Sequence, residues 1–100
     1  MTRTDPPAPG EATVITVVRA PACHLCEDAT AALGELGRKF PVRVQLMEAG
    51  EPDGAALVRQ HRAPMFPLVL LNGVFFSSGR LPRKKLAKAL AAARSAAVVA

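Results

Sequence analysis

Apolar and polar positions fall into seven blocks along the chain, and each block has its own period. Thr13-Val14-Ile15-Thr16-Val17-Val18 is rich in β-branched residues, which suit a pleated, half-buried surface, so a strand is predicted over Thr13–Arg19. Pro21 breaks the run. Leu25, Ala29, Ala32, Leu33, Leu36 and Phe40 then recur at offsets of three, four and seven, the stripe of a helix buried on one side, predicted over His24–Lys39. Val42, Val44 and Leu46 alternate with Arg43, Gln45 and Met47, a period of two that predicts a strand with one buried face. Glu48 to Gly54 reads as a loop, and Ala55–His61 as a short helix with Asp53 as its N-cap.

Pro64 and Pro67 bar regular structure until Leu68-Val69-Leu70-Leu71, an apolar run without alternation, as in a strand covered on both faces. Asn72-Gly73 separates it from Val74-Phe75-Phe76. Both turn residues tolerate the positive φ of a type I′ turn, so a hairpin is predicted there. Ser77-Ser78-Gly79 ends that strand. Leu81-Pro82 opens the last helix, with Leu86, Leu90, Ala93 and Ala97 as its buried stripe and its cations directed elsewhere, toward the C-terminal half. The order is strand, helix, strand, short helix, strand, strand, helix. A strand–helix–strand crossover implies two parallel strands and the hairpin adds an antiparallel pair. The expected fold is therefore α/β: a four-stranded mixed sheet flanked by about three helices. Gly34 and Gly37 weaken the first helix or permit its close packing on the sheet.

One hundred residues suit a single domain of the usual size, about 100–150 residues. The Pro-rich stretch 1–12 reads as a flexible tail and 13–100 as the domain. With four Phe and neither Trp nor Tyr, the core is built mainly from Val, Leu and Ala, and stacking platforms for nucleobases are scarce. The net charge is +5, with Arg80, Arg83, Lys84, Lys85, Lys88 and Arg94 gathered near or on the last helix. Such a face attracts nucleic acid, acidic proteins or an anionic surface, unless it is simply a solvated helix face. No segment has the length or flanks of a signal peptide or membrane span, so a cytoplasmic, reducing location and a monomer without membrane contact are expected.

The chemistry centres on Cys23-His24-Leu25-Cys26, which holds the only two cysteines of the chain. Their spacing excludes the spread-out framework of a disulfide-rich secreted domain. The first cysteine sits at the mouth of the first helix and the second one turn inside. Free N–H groups and the helix dipole favour a thiolate there, and two sulfurs three positions apart can close a small disulfide ring. Metal is the competing use. A closed zinc site needs four ligands, and the chain offers Cys23, Cys26, His24 and the distant His61. A c-type haem site fails because Glu27 follows Cys26. A cluster shared between two subunits through Cys23 stays open.

In this element order, with Cys-x-x-Cys after the first strand and Phe66-Pro67-Leu68-Val69-Leu70-Leu71-Asn72-Gly73 later, the chain resembles the thioredoxin-like family over about residues 13–95. It is most similar to the glutaredoxin branch, in a Cys-x-Leu-Cys form found among small bacterial glutaredoxin-like proteins. The resemblance implies a thiol–disulfide oxidoreductase with Cys23 as attacking thiolate, Cys26 as resolving thiol and Pro67 as a cis-proline. Helix placement favours the same roles, since Cys23 should be the more exposed thiol. His24 is either a tuning group or an exposed spacer. His24, Leu25, Phe66, Ser77, Ser78 and Arg80 are the expected substrate-binding positions, Phe66 through its backbone. Glutaredoxins that use glutathione carry a lysine where Ala20 stands, a Gly-Gly pair where Ser77-Ser78 stand, and an acidic residue near Arg80. Arg19 could replace the lysine only if it points the right way. Glutathione is thus an open partner rather than an expected one. The expected partners are disulfide-containing proteins or small thiols and a thiol or reductase as electron donor. No cofactor beyond the reversible Cys23–Cys26 disulfide is expected. The alternative is a non-catalytic binding module of the same fold, docking by the sheet edge near Phe66 or by the basic helix. Nucleic acid ranks last, for want of a motif and of aromatics.

Overall fold

The computed structural model describes residues 12–99, with side-chain surroundings through Ala93. The elements are β1 (Thr13–Arg19), α1 (His24–Leu36), β2 (Val42–Glu48), α2 (Pro52–His61), β3 (Leu68–Leu71), β4 (Val74–Ser78) and α3 (Arg83–Val99). The tail predicted at the N-terminus falls, up to residue 11, outside the described residues.

The four strands form one sheet in the order β2-β1-β3-β4. β1 runs parallel to β2, from Thr13 opposite Val42 to Arg19 opposite Glu48. It runs antiparallel to β3, with Val18 opposite Leu68 and Ile15 opposite Leu71. Asn72 and Gly73 take φ of 48° and 83°, the doubly positive turn that matches strand twist. Asn72 also grips the start of β1: its N–H donates to the Val14 carbonyl at 2.8 Å and its Oδ1 accepts from the Val14 N–H at 2.9 Å. Leu70 faces Phe75 but Val69 faces Ser77, so Phe76 is the extra residue of a β-bulge.

The two sheet faces are covered differently. Ile15, Val17 and Val69 pack with Ala29, Ala32 and Leu33 of α1 and with Leu86 and Leu90 of α3. Val18, Leu68 and Leu70 pack with Leu57 and Val58 of α2. Three layers result, with the nearly continuous apolar runs of β1 and β3 in the middle.

Several expectations are corrected. α1 ends at Leu36 rather than Lys39: the N–H groups of Arg38 and Lys39 bond three residues back, to Glu35 and Leu36, a tightened terminal turn. Gly34 is exposed, and a Cβ there would meet nothing within 4 Å, so close packing is not its role. β2 has no fully buried face, because Val44 and Leu46 are 40% and 45% exposed on an edge strand. α2 begins at Pro52, with Glu51 in the cap position, because proline is preset for the first helical residue. Asp53 therefore lies inside the helix. α3 begins after Pro82, which places Arg83, Lys84 and Lys85 in its first turn, not toward its C-terminal end. Ala93 is exposed although the stripe predicts it buried, and Ala97 lies outside the described side chains.

Gly54 is buried in α2 against the backbone of Glu48, and a Cβ there would collide with the Glu48 carbonyl. Gly54→Ala should lower unfolding stability by roughly 1–3 kcal/mol through overpacking. Gly34→Ala should raise it by up to about 1 kcal/mol through helix propensity alone. Urea denaturation of the two variants checks both signs.

Candidate functional site

The last residue of β1 is separated from α1 by a short turn in which Ala22 takes a φ of 51°. Cys23 follows as the N-cap of α1, in extended conformation (φ −113°, ψ 106°). Its Sγ accepts a hydrogen bond from the Cys26 N–H at 3.1 Å. Sulfur thus takes the position that a Ser, Thr or Asp oxygen occupies in an ordinary N-cap. Cys23 and Cys26 are joined by a disulfide with a Cα–Cα distance of 5.2 Å. The two sulfurs are not equivalent: Cys23 is half-buried, whereas Cys26 is 3% exposed.

A cleft of about 470 Å³ opens beside the disulfide, lined by Cys23, Cys26, Arg19, Glu48, Glu27 and Thr30 among others. Arg19 and Glu48 end β1 and β2 and are register partners. The guanidinium donates to Glu48 Oε2 from Nε at 3.1 Å and from Nη2 at 2.5 Å. Thr30 Oγ1 donates to the Cys26 carbonyl at 3.0 Å. Arg19 therefore does point to the cysteines, but with its charge matched by Glu48. Periodicity could not reveal Glu48 or Thr30. The parallel register of a strand–helix–strand unit could have suggested Glu48, since it brings both strand ends beside the same helix N-terminus.

Of the remaining sequence-predicted positions, none lines this cleft. The Phe66–Pro67 bond is cis, and Pro67 rather than Pro64 is the proline so placed. Pro67 is fully buried, and its carbonyl accepts from the Gly79 N–H at 3.1 Å. Phe66 packs, half-buried, against the cluster of Val18, Leu68 and Leu70. Ser78 Oγ accepts from the Met65 N–H at 3.2 Å and donates to the Met65 carbonyl at 2.8 Å, so it fastens this loop to the end of β4. Ser77 Oγ is buried and has no hydrogen-bond partner among the described residues. Leu25 is half-buried and Arg80 exposed. The His24 side chain is wholly exposed, 3.9 Å from Glu27. Because Val18 faces Leu68 and Leu68 faces Ser78, the disulfide turn, the Met65–Pro67 loop and the end of β4 share one end of the sheet.

Among the described residues no group of three or more His, Cys, Asp or Glu could hold a metal ion. His61 lies at the end of α2 with its ring 6.1 Å from Phe75. No described helix is long and apolar enough to cross a membrane.

The unequal burial of the sulfurs has a direct consequence. In the reduced protein under limiting iodoacetamide, Cys23 should be alkylated at least about tenfold faster than Cys26, since access and thiolate character both govern thiol reactivity. Peptide mapping by mass spectrometry reads the ratio, and equal labelling would contradict the assignment of Cys23 as the accessible thiol.

No family model and no curated protein matches the sequence. Solved structures do match by shape. An uncharacterized thioredoxin-like protein from Clostridium perfringens superimposes with a TM-score of 0.67 at 12% identity, over 81% of this chain and 70% of that one. A mutant thioredoxin from Halobacterium salinarum gives 0.63 at 14%, over 86% and 78%. Oxidized mitochondrial thioredoxin 3 from Saccharomyces cerevisiae gives 0.61 at 15%, over 84% and 81%. With its β2-β1-β3-β4 mixed sheet, its three helices and a Cys-x-x-Cys disulfide at the start of α1, the chain has the thioredoxin-like fold.

Proposed function

We propose that the protein is a thiol–disulfide oxidoreductase whose working group is the Cys23–Cys26 pair. The observation that carries this reading is the sulfur cap: Cys23 Sγ, bonded to Cys26, accepts the Cys26 N–H at the first turn of α1. Once the disulfide is reduced, the same N–H and the positive end of the helix favour a thiolate on Cys23. That thiolate attacks one sulfur of a substrate disulfide, forming a mixed disulfide and releasing the other half as a thiolate that takes up a proton. Cys26 then gives up its proton and attacks Cys23 Sγ. The mixed bond breaks, the second half leaves as a thiol, and the Cys23–Cys26 disulfide re-forms. The pair gives the substrate two electrons; of the two protons the substrate gains, one comes from Cys26 and one from solvent, because Cys23 reacts as a thiolate. An external thiol or dithiol reductase returns the pair to the reduced state.

The finer reading is a glutaredoxin-type protein. The Cys-x-Leu-Cys sequence and the four-stranded sheet support it. Ser78 spends its hydroxyl on the backbone of Met65, and Arg19 spends its charge on Glu48. Both observations favour protein disulfides or a small thiol other than glutathione as the substrate. Cys23, Cys26 and Pro67 are proposed as the reaction centre. His24, Leu25, Phe66, Ser77, Ser78 and Arg80 are proposed as the rim that meets the substrate, in a protein working as a monomer in the cytoplasm. The chain beyond the predicted tail, residues 13–100, is proposed as one functional unit.

Cys23→Ser should reduce turnover of a disulfide substrate to the uncatalysed rate. Cys26→Ser should instead trap a mixed disulfide on Cys23, visible as added mass that a strong reductant removes. Reductase activity left intact in Cys23→Ser would overturn the assignment.

A further inference from the structure

Every acidic residue of the chain lies at or before Asp53. The charged side chains beyond it, in α2, the loops and α3, are therefore cations alone. Three of those cations, Arg83, Lys84 and Lys85, stand in the first turn of α3, which contains no acid and where the helix dipole disfavours positive charge. Arg83 is neutralised from α1, at 2.7 Å from Asp28 and 3.8 Å from Glu35. Lys85 lies over the Phe76 ring, 5.3 Å from its centroid. Arg80, Lys84 and Lys88 are exposed and no acid of the described residues pairs with them. Lys84 and Lys88, four apart, share one face of the helix.

The sheet register places the start of this face at the same end of the sheet as the chemistry. β4 and β1 run in the same direction, so the Gly79–Pro82 connection leaves β4 at the sheet end where β1 delivers Cys23. Met65, 52% exposed, is fastened to Ser78 in the same region. The cleft beside the disulfide holds Glu27, while Glu48 there is paired with Arg19. The end of the sheet that carries the disulfide thus also carries unpaired cations and an apolar side chain available for contact.

We propose that the Arg80–Lys84–Lys88 surface docks an acidic segment of a protein partner, adjacent to the cysteine that exchanges with Cys23. The inference rests on the dithiol reading and deepens it by naming the substrate class. Charge complementarity of this kind raises the encounter rate and fixes orientation. A protein partner is favoured over nucleic acid because the cations border a redox group and the chain offers few aromatic platforms.

The test uses two synthetic peptides, each carrying a cysteine linked by a disulfide to thionitrobenzoate. In one the cysteine is flanked by glutamates, in the other by glutamines at the same positions. Bis(2-hydroxyethyl) disulfide serves as the uncharged small substrate. At low salt the glutamate peptide should be reduced with a kcat/KM at least about threefold above the glutamine peptide, the scale of a few screened surface charges. That preference should vanish at about 0.5 M salt, where screening is short-ranged, and in the Lys84→Gln/Lys88→Gln variant. It should return in Lys84→Arg/Lys88→Arg, and the small disulfide should be turned over equally by all three proteins. Equal rates on the two peptides, a preference that survives Lys84→Gln/Lys88→Gln, or tighter binding to duplex DNA than to the glutamate peptide would each overturn the docking surface. If the small disulfide is reduced while the peptides are not distinguished, only docking fails. If nothing is reduced, the dithiol reading fails with it.

Discussion

β1 is the element on which the site depends. Its backbone is bonded on both sides, to β2 in parallel and to β3 in antiparallel register, and four of its residues are fully or almost fully buried between the two helical layers. A strand held this way has little freedom at its C-terminal end, so the turn that follows delivers Cys23 to a fixed place. The helix that Cys23 caps is in turn clamped to the same strand through Ala29, Ala32 and Leu33. The disulfide therefore joins the N-cap to the first turn of the helix packed on that strand. Geometry at the sulfurs is inherited from the core rather than from any loop.

The same arrangement explains which parts of the fold were legible in the sequence. β1 and β3 could be read because they are central, and a central strand announces itself by β-branched or unbroken apolar runs. Asn72-Gly73 could be read because few residues accept two consecutive positive φ values, and the observed angles are 48° and 83°. β2 alternates as a half-buried strand does, yet Val44 and Leu46 are partly open. Alternation reports which face is apolar; it does not report whether a helix extends far enough to cover an edge. The start of α2 is not legible in the sequence because Pro52 and Gly54 look like loop residues. There Pro52 is preset for the first helical turn and Gly54 admits the Glu48 backbone, a tertiary contact invisible to local pattern. Ala93 follows the stripe of α3 yet is exposed.

The candidate site divides in the same way. The two cysteines and their helix-terminal placement were evident from spacing. The Arg19–Glu48 pair was not, because its members are 29 residues apart and meet only through the parallel register. Ser78 bonds the backbone of Met65, a contact that no local pattern shows. Long-range pairing is what the one-dimensional pattern lacks. The ion pair between Arg83 and Asp28 is another instance: it links α3 to α1 and neutralises one of the three cations in the first turn of α3. What remains unpaired at the start of α3 is a short cationic face, Lys84 and Lys88, near the sheet end that carries the disulfide.

The central claim is that Cys23 and Cys26 form a reversible two-electron couple, and equilibrium redox titration of the full chain tests it most directly. The purified protein would be brought to equilibrium in dithiothreitol buffers of graded potential, quenched with an alkylating agent and weighed by mass spectrometry. The predicted result is a single transition between a doubly alkylated and an unalkylated species, with the slope of a two-electron process, about 30 mV per tenfold change in ratio. A pair that stays alkylatable at every potential, or that oxidises only by linking two chains, would contradict the account.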